Sequence, residues 1–194
     1  LVENCIFRGN TGGGAYITTM TNVTIRNSLF YNNAAQGYGG AVAFYTGSSG
    51  DASGLMENCT IVSNRSDTST SGGVHYYQNK TTGMIRNCIL YENYRGGTLY
   101  NISRYRSLLD VSHTCSAPLE TGPGNTAAAP QFVDYEGRDL RLLSGSPCID
   151  AGLNQAWMTD AADLDGRPRL DRGTGRVDMG AYEYLPEGAL FLIR

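Results

Sequence analysis

A short phrase recurs four times in the first half of the chain, and no other feature limits its fold as strongly. It reads Val2-Glu3-Asn4-Cys5-Ile6-Phe7, then Ile25-Arg26-Asn27-Ser28-Leu29-Phe30, Met56-Glu57-Asn58-Cys59-Thr60-Ile61 and Ile85-Arg86-Asn87-Cys88-Ile89-Leu90. The leading asparagines Asn4, Asn27, Asn58 and Asn87 lie 23, 31 and 29 residues apart. Six residues after each comes a second asparagine: Asn10, Asn33, Asn64 or Asn93. A glycine pair and a strand-like run then follow, as in Gly13-Gly14-Ala15-Tyr16 and Gly39-Gly40-Ala41-Val42. A fixed phrase with variable spacers in this range marks a solenoid.

The repeated pieces are rich in Val, Ile, Phe, Tyr and Thr, which suit pleated strands. None carries a helical i, i+3, i+4 apolar stripe. The expected fold is therefore all-β: a right-handed parallel β-helix of four to five short coils with a β-rich C-terminal cap. Asn and Gly tolerate the left-handed backbone that tight bends between strands require. Stacked coils place equivalent residues about 4.8 Å apart, so like sits on like. Asn4, Asn27, Asn58 and Asn87 are expected to form a structural ladder of side chains. Beside them Glu3, Arg26, Glu57 and Arg86 alternate in sign, so neighbours in one column face opposite charge.

Alternation assigns the faces. Phe7, Phe30, Ile61 and Leu90 read as inward, together with Cys5, Ser28, Cys59 and Cys88. In the glycine-led strands Ala15, Ala41, Val74 and Thr98 read as inward, with Ile17, Ala43, Tyr76 and Tyr100. Tyr16, Val42, His75 and Leu99 are then outside, with Thr18, Phe44, Tyr77 and Asn101. On this register Tyr16, Phe44, His75 and Tyr77 form an aromatic ligand-binding strip on the outer wall, and sugars stack well on such rings.

Cys5, Cys59 and Cys88 read as buried, inert thiols in the inward ladder. Cys115 and Cys148 lie outside the repeats and are the disulfide candidates in an oxidising setting. The net charge is −3, and of the 15 basic residues only Lys80 is not arginine. The arginines are scattered, which argues against a nucleic-acid partner. No signal peptide and no apolar run long enough to span a bilayer is present. The chain opens directly on a repeat strand, as a mature product or a piece of something longer would.

Residues 1–115 are thus the coils, 116–130 a Pro- and Gly-rich loop, 131–184 the cap and 185–194 a tail. The cap carries Asp139-Leu140-Arg141-Leu142, Gly145-Ser146-Pro147-Cys148-Ile149-Asp150-Ala151-Gly152, Asp163-Leu164-Asp165-Gly166-Arg167-Pro168-Arg169 and Val177-Asp178-Met179-Gly180-Ala181-Tyr182-Glu183-Tyr184. This series resembles the C-terminal region of bacterial right-handed parallel β-helix repeat proteins of the choice-of-anchor kind, with the pectate-lyase-like superfold. The resemblance implies a secreted or surface-displayed protein, which would meet a membrane only through an anchor missing here. The apolar Ala189-Leu190-Phe191-Leu192-Ile193 then reads as an anchor remnant or as a strand exchanged with the next molecule. An uncovered first coil and such a strand would permit head-to-tail self-association into filaments.

Candidate chemistry is sparse. The acids of the repeats are Glu3, Asp51, Glu57, Asp67 and Glu92, and only Glu3 and Glu57 share a column. They read as a charge ladder and not as a catalytic pair, so no catalytic residue is assigned. Asp160, Asp163, Asp165 and Asp178 are dense enough to be a candidate Ca²⁺ site, and Asp163-x-Asp165-Gly166 resembles the start of a calcium loop. The later loop ligands are missing, since position 167 is Arg, and nearby arginines offer the same acids ion pairs instead. The expected function is a structural or adhesive module. A polysaccharide-binding or polysaccharide-cleaving protein is the alternative.

Overall fold

The computed structural model describes residues 1–18, 22–45, 53–67, 70–77, 82–170 and 173–186. The first coil holds β1 (Val2–Glu3), β2 (Ile6–Arg8) and β3 (Ala15–Thr18). The second holds β4 (Val23–Arg26), β5 (Leu29–Tyr31), β6 (Ala34–Ala35) and β7 (Val42–Tyr45). The third holds β8 (Ser53–Glu57), β9 (Thr60–Val62), β10 (Arg65–Ser66) and β11 (Val74–Tyr77). The fourth holds β12 (Thr82–Arg86), β13 (Ile89–Tyr91), β14 (Tyr94–Arg95), β15 (Thr98–Leu99) and β16 (Ile102–Tyr105). A partial fifth adds β17 (Leu108–Ser112) and β18 (Cys115–Ser116). Successive coils stack in parallel register as the sheets β1-β4-β8-β12-β17, β2-β5-β9-β13-β18 and β3-β7-β11-β16. A narrower sheet, β6-β10-β14, ends on β15, which pairs antiparallel. The fold is a right-handed parallel β-helix.

The bends explain the asparagines. Asn4, Asn27, Asn58 and Asn87 all adopt positive φ, between 46° and 55°, where asparagine is tolerated far better than most residues. Their side chains do not form one continuous ladder. Asn27 donates to Asn4 and Asn87 donates to Asn58 Oδ1 at 3.2 Å, with no bond between Asn27 and Asn58 among the described residues. The amides of Asn27, Asn58 and Asn87 turn instead to the carbonyls of Ala162, Asp178 and Leu153 at 2.7, 3.1 and 2.9 Å. This column fastens the C-terminal segment to the coils.

The unbroken ladder belongs to the second asparagines. The side-chain amide of Asn10 donates to Asn33 Oδ1 at 2.8 Å, Asn33 to Asn64 at 2.9 Å, Asn64 to Asn93 at 2.8 Å and Asn93 to Asn101 at 2.8 Å. Each of these oxygens also accepts the backbone N–H of the preceding ladder asparagine. Asn33, Asn64, Asn93 and Asn101 are buried. Because every member is bonded to the next, the interior holds these amides without an unpaired group.

The core between the sheets is built from stacked columns. Ile25, Met56, Ile85 and Val111 form one, and Phe30, Ile61 and Leu90 another, with Phe7 lying flat on Phe30 at 4.6 Å. Burying each such side chain contributes roughly 1.5–3 kcal/mol. Cys59 and Cys88 are buried as expected of core thiols, whereas Cys5, on the first coil, is half-buried. In the charge column Glu3 pairs with Arg26 at 2.6 Å and Glu57 with Arg86, so the ions join two by two.

The region expected to cap the last coil lies along the flank instead. Its described residues form an antiparallel hairpin, β19 (Phe132–Asp134) with β20 (Asp139–Leu142), and a short 3-10 turn, Ala156–Met158. Phe132, Leu140, Leu142, Cys148 and Met179 pack on Leu29, Val62, Ile89 and Cys115 of the second sheet. The segment reaches Asn87 through Leu153, Asn58 through Asp178 and Asn27 through Ala162 and Arg169, and so spans three coils. The last coil is met by the loop before it: Thr126 bridges Cys115, and Asn125 binds Thr114 and Val111. The tail strand 189–193 lies outside the described residues.

Candidate functional site

The outer face of the β3-β7-β11-β16 sheet gathers the exposed aromatics. Its register pairs Ala15 with Val42, Val42 with Val74 and Val74 with Ile102. Alternation then points Ile17, Phe44 and Tyr76 inward, and leaves two outward columns. One is Tyr16, Ala43, His75 and Ser103; the other is Thr18, Tyr45, Tyr77 and Tyr105. Of the expected aromatic strip, Tyr16, His75 and Tyr77 are on this wall. Phe44 is not: it is buried and stacks on Tyr76 at 4.6 Å.

The error has a local cause. Ala41 stays in the bend, its N–H bonded to the carbonyls of Gly72 and Gly73, so the second-coil strand starts one residue later than the glycine pair suggests. A one-residue slip moves every side chain to the other face. Gly40 makes this bend feasible, because a Cβ there would lie 2.3 Å from the Gly72 carbonyl oxygen. The inward rings of Phe44 and Tyr76 are housed the same way: a Cβ on Gly54 would come 2.6 Å from the Phe44 ring, and one on Gly83 2.5 Å from Tyr76. In the fourth coil Thr98 sits in the antiparallel β15, Tyr100 follows it, and the wall strand begins only at Ile102.

The rings of the column Tyr45, Tyr77, Tyr105 are met at the first coil by Tyr16, which leans across from the neighbouring column. Ring centroids are 5.9 Å apart from Tyr16 to Tyr45, 4.8 Å from Tyr45 to Tyr77 and 5.0 Å from Tyr77 to Tyr105, with planes within 23° of parallel. Arg106 lies over the Tyr105 ring at 5.1 Å and closes that end. Since the rings stack on one another, they offer edges and phenol hydroxyls outward more than faces. Tyr38 was missed by the sequence reading because it lies in a bend. It sits over the small Ala43 step, 6.5 Å from Tyr16 and 5.5 Å from His75, nearly parallel to both. Tyr45 and Tyr105 could have been found by aligning the strands on their last aromatic instead of on the glycines.

His75 is 3 % exposed. Its Nδ1 lies 2.7 Å from Ser103 Oγ. Ser103 Oγ accepts the Ser71 N–H at 2.9 Å and lies 3.1 Å from Ser71 Oγ, which itself donates to the Val74 carbonyl. With the Ser71 hydroxyl proton committed to Val74, Ser103 donates to Ser71. Ser103 therefore accepts from His75, which puts the imidazole proton on Nδ1. Nε2 is then a lone-pair acceptor, buried and without a partner among the described residues. Burial pushes His75 down to about 4, with Ser103 pulling the other way. The ring is neutral at physiological pH.

The other sequence candidates are occupied by structure. Asp163 Oδ1 accepts the N–H of Asp165 and of Arg167, at 2.9 and 2.7 Å, and its Oδ2 accepts Glu183 N–H at 2.8 Å. Asp178 accepts the amides of Asp150 and Tyr184. Asp165 faces Arg167 at 3.9 Å, and Asp160 is exposed on its own turn. Among the described residues no three His, Cys, Asp or Glu side chains converge to hold a metal; Asp163 caps its own turn and Asp178 holds backbone amides of the flanking segment. Buried beneath them, Arg169 pairs with Glu183 at 2.9 Å and reaches Asn27 at 3.3 Å. Burial pushes Glu183 up to about 9, against the pull of Arg169, and Asp178 up to about 6. Cys115 and Cys148 are both free thiols. They lie in contact, and the side-chain hydrogen bond from Cys148 lowers the Cys115 pKa. Asp51 and Lys80 lie outside the described residues.

A stacked parallel solenoid with an aromatic outer wall defines the class of a parallel β-helix protein. A model described as right handed beta helix region matches residues 1–110, and the chain belongs to that family. Neither a curated protein nor a solved structure matches it significantly.

Proposed function

We propose that this protein is a polysaccharide-binding β-helix module that works outside the cell, as an adhesive and not as an enzyme. The observation that carries the reading is the column Tyr45, Tyr77 and Tyr105, stacked at 4.8 and 5.0 Å along the solenoid axis, with the Tyr16 ring of the neighbouring column 5.9 Å from Tyr45. This spacing follows from strand stacking and is close to the length of one residue of an extended glycan. A chain laid along the wall thus meets one phenol per sugar. Each phenol–hydroxyl bond is worth about 1 kcal/mol, so several in register are needed for useful affinity. Binding without cleavage fits the two outward columns, whose described side chains, Tyr16, Ala43, His75 and Ser103 with Thr18, Tyr45, Tyr77 and Tyr105, include no carboxylate. The likeness of residues 139–184 to choice-of-anchor proteins supports a secreted or surface location.

Affinity electrophoresis against a polysaccharide panel, with products watched by absorbance of unsaturated ends, tests the reading. Retardation without turnover is expected. Tyr77→Ala should weaken binding about fivefold or more, a loss near 1 kcal/mol, while leaving the fold intact. Turnover, or retardation unchanged in a Tyr45→Ala/Tyr77→Ala double variant, refutes it.

A further inference from the structure

The flanking segment and the last coil bring two cysteines together. We propose that Cys115 and Cys148 are a cross-linking site, joined outside the cell by a disulfide that clasps the flanking segment covalently to the solenoid. The inference shares only the extracellular setting with the proposed function and does not depend on glycan binding.

Contacts on two sides place the pair. Leu29, Thr60, Ile89 and Cys115 are successive steps of one column in the second sheet. Their neighbours Phe30, Ile61 and Leu90 fill the core, so this column faces the flanking segment. The Ala181 N–H donates to Thr60 Oγ1 at 3.0 Å, and the Gly180 N–H to the Asn87 carbonyl at 2.8 Å. Glycine permits this approach, since at position 180 φ is +94° and a Cβ would lie 2.8 Å from Ile89 Cδ1. Cys148 runs beside these residues, its carbonyl taking the Met179 N–H at 2.9 Å. Residues 128–130 hold both cysteines from the other side. The Ala128 carbonyl accepts the Cys115 thiol at 3.1 Å. The Pro130 carbonyl accepts the Ser146 hydroxyl, whose oxygen takes the Cys148 N–H at 3.2 Å.

Both thiols are buried in one cluster with Phe132 and Met179. Their mutual hydrogen bond holds Cys115 down, against burial, and raises Cys148, as two touching sulfurs require. Cys59 and Cys88 are placed differently. They precede Thr60 and Ile89 on paired parallel strands, one strand spacing of about 4.8 Å apart with parallel Cβ vectors. A disulfide needs its Cβ atoms about 3.8 Å apart. Each of these two thiols also donates to a carbonyl of its own bend, Glu57 or Arg86, at 3.2 Å.

The oxidant is a low-molecular-weight disulfide, RSSR. While the flanking segment is undocked, the Cys148 thiolate attacks one sulfur of RSSR, forms a mixed disulfide and releases RS⁻. Docking brings the Cys115 thiolate against the Cys148 sulfur; their S–S bond forms and the second RS⁻ leaves. The two cysteines give up two electrons, RSSR is reduced to two thiols, and the two cysteine protons pass to the leaving thiolates.

The test refolds the full chain from denaturant, once with a mixture of oxidised and reduced glutathione and once with dithiothreitol. Alkylation and peptide mapping of the first sample should recover one disulfide, Cys115 to Cys148, with Cys5, Cys59 and Cys88 as thiols. Cys115 and Cys148 lie 33 residues apart, and closing a loop of that length favours the docked state. Hydrogen exchange of the Gly180 and Ala181 amides should therefore be at least about tenfold slower in the oxidised sample than in the reduced one. In Cys148→Ser the two conditions should give the same exchange rates. Recovery of Cys115 and Cys148 as thiols from glutathione, or a Cys59–Cys88 link in their place, overturns the site. A Cys115–Cys148 link that leaves exchange at Gly180 and Ala181 unchanged overturns the clasp. The wild-type comparison decides both even if Cys148→Ser fails to fold, and neither result bears on the tyrosine wall.

Discussion

Asn64 takes two hydrogen bonds from Asn33 and gives others to Phe30, Val62 and Asn93, all in the interior. Removing this side chain strands donors and acceptors on both neighbouring coils, each worth about 1–3 kcal/mol when left unpaired. Asn64→Ala should therefore destabilise the protein by about 3 kcal/mol or more in urea unfolding. Asn10→Ala, at the exposed start of the same ladder, should cost under about 1 kcal/mol. Equal losses would contradict the ladder. His75 makes a second prediction at this scale. Among the described residues Tyr38, Tyr77 and Ser103 pack against it, none of them charged. Its folded pKa lies below the unfolded value near 6.5, so the unfolded chain binds the extra proton, and stability falls as pH drops from about 6.5 toward about 4. Proton NMR of the imidazole should show its midpoint near 4, well apart from an ordinary histidine.

Elements show how much of this structure can be read from the sequence. The strands after each leading asparagine were placed correctly, because the phrase holds its length and a fixed Asn at positive φ starts it. The glycine-led strands were legible only in part. Between the second asparagine and the strand the chain crosses a bend of variable length, and nothing in the glycine pair says which residue first enters the sheet. The second coil slipped by one, and the fourth inserted the β14–β15 turn. Hence Phe44 read as wall and Tyr38 did not read at all. The flanking segment was misplaced for another reason: its contacts are to Asn27, Asn58 and Asn87, whose amides have two equally good uses, toward each other or toward a passing strand. The corrected register makes a paired prediction. Phe44→Ala should cost about 3–5 kcal/mol, as a core aromatic does, whereas the neighbouring Tyr45→Ala should cost under about 1 kcal/mol and reduce glycan binding. Chemical unfolding of the two variants decides it; the reverse order would put Phe44 on the wall and contradict this register.

At the scale of the whole molecule, the flanking segment and the coils are held together by a buried polar cluster around Arg169. Arg169, 0 % exposed, joins Glu183 and the backbone carbonyls of Asp178 and Gly180 to Asn27 on the second coil. Burying these carboxyls raises them, Glu183 to about 9 and Asp178 to about 6. A carboxyl raised in the folded state keeps its proton where the unfolded chain has lost it. Its contribution is full below the unfolded value near 4.5 and fades as pH rises toward 9. Below about 6.5 this trend is opposed by His75, which loses stability in the other direction. Between about 6.5 and 9 the opposition is gone, and the Glu183 effect stands alone of the three. Unfolding free energy should therefore decline across that window, by at most about 1.4 kcal/mol per pH unit. Glu183→Gln fixes a neutral group of the same shape beside Arg169, so its stability should be nearly flat over the same range and meet the wild type at the acid end. Urea titrations of both proteins from pH 6.5 to 8.5 measure this. Parallel curves would mean that Glu183 is ionised beside Arg169, and that the flanking segment is held by a true buried ion pair.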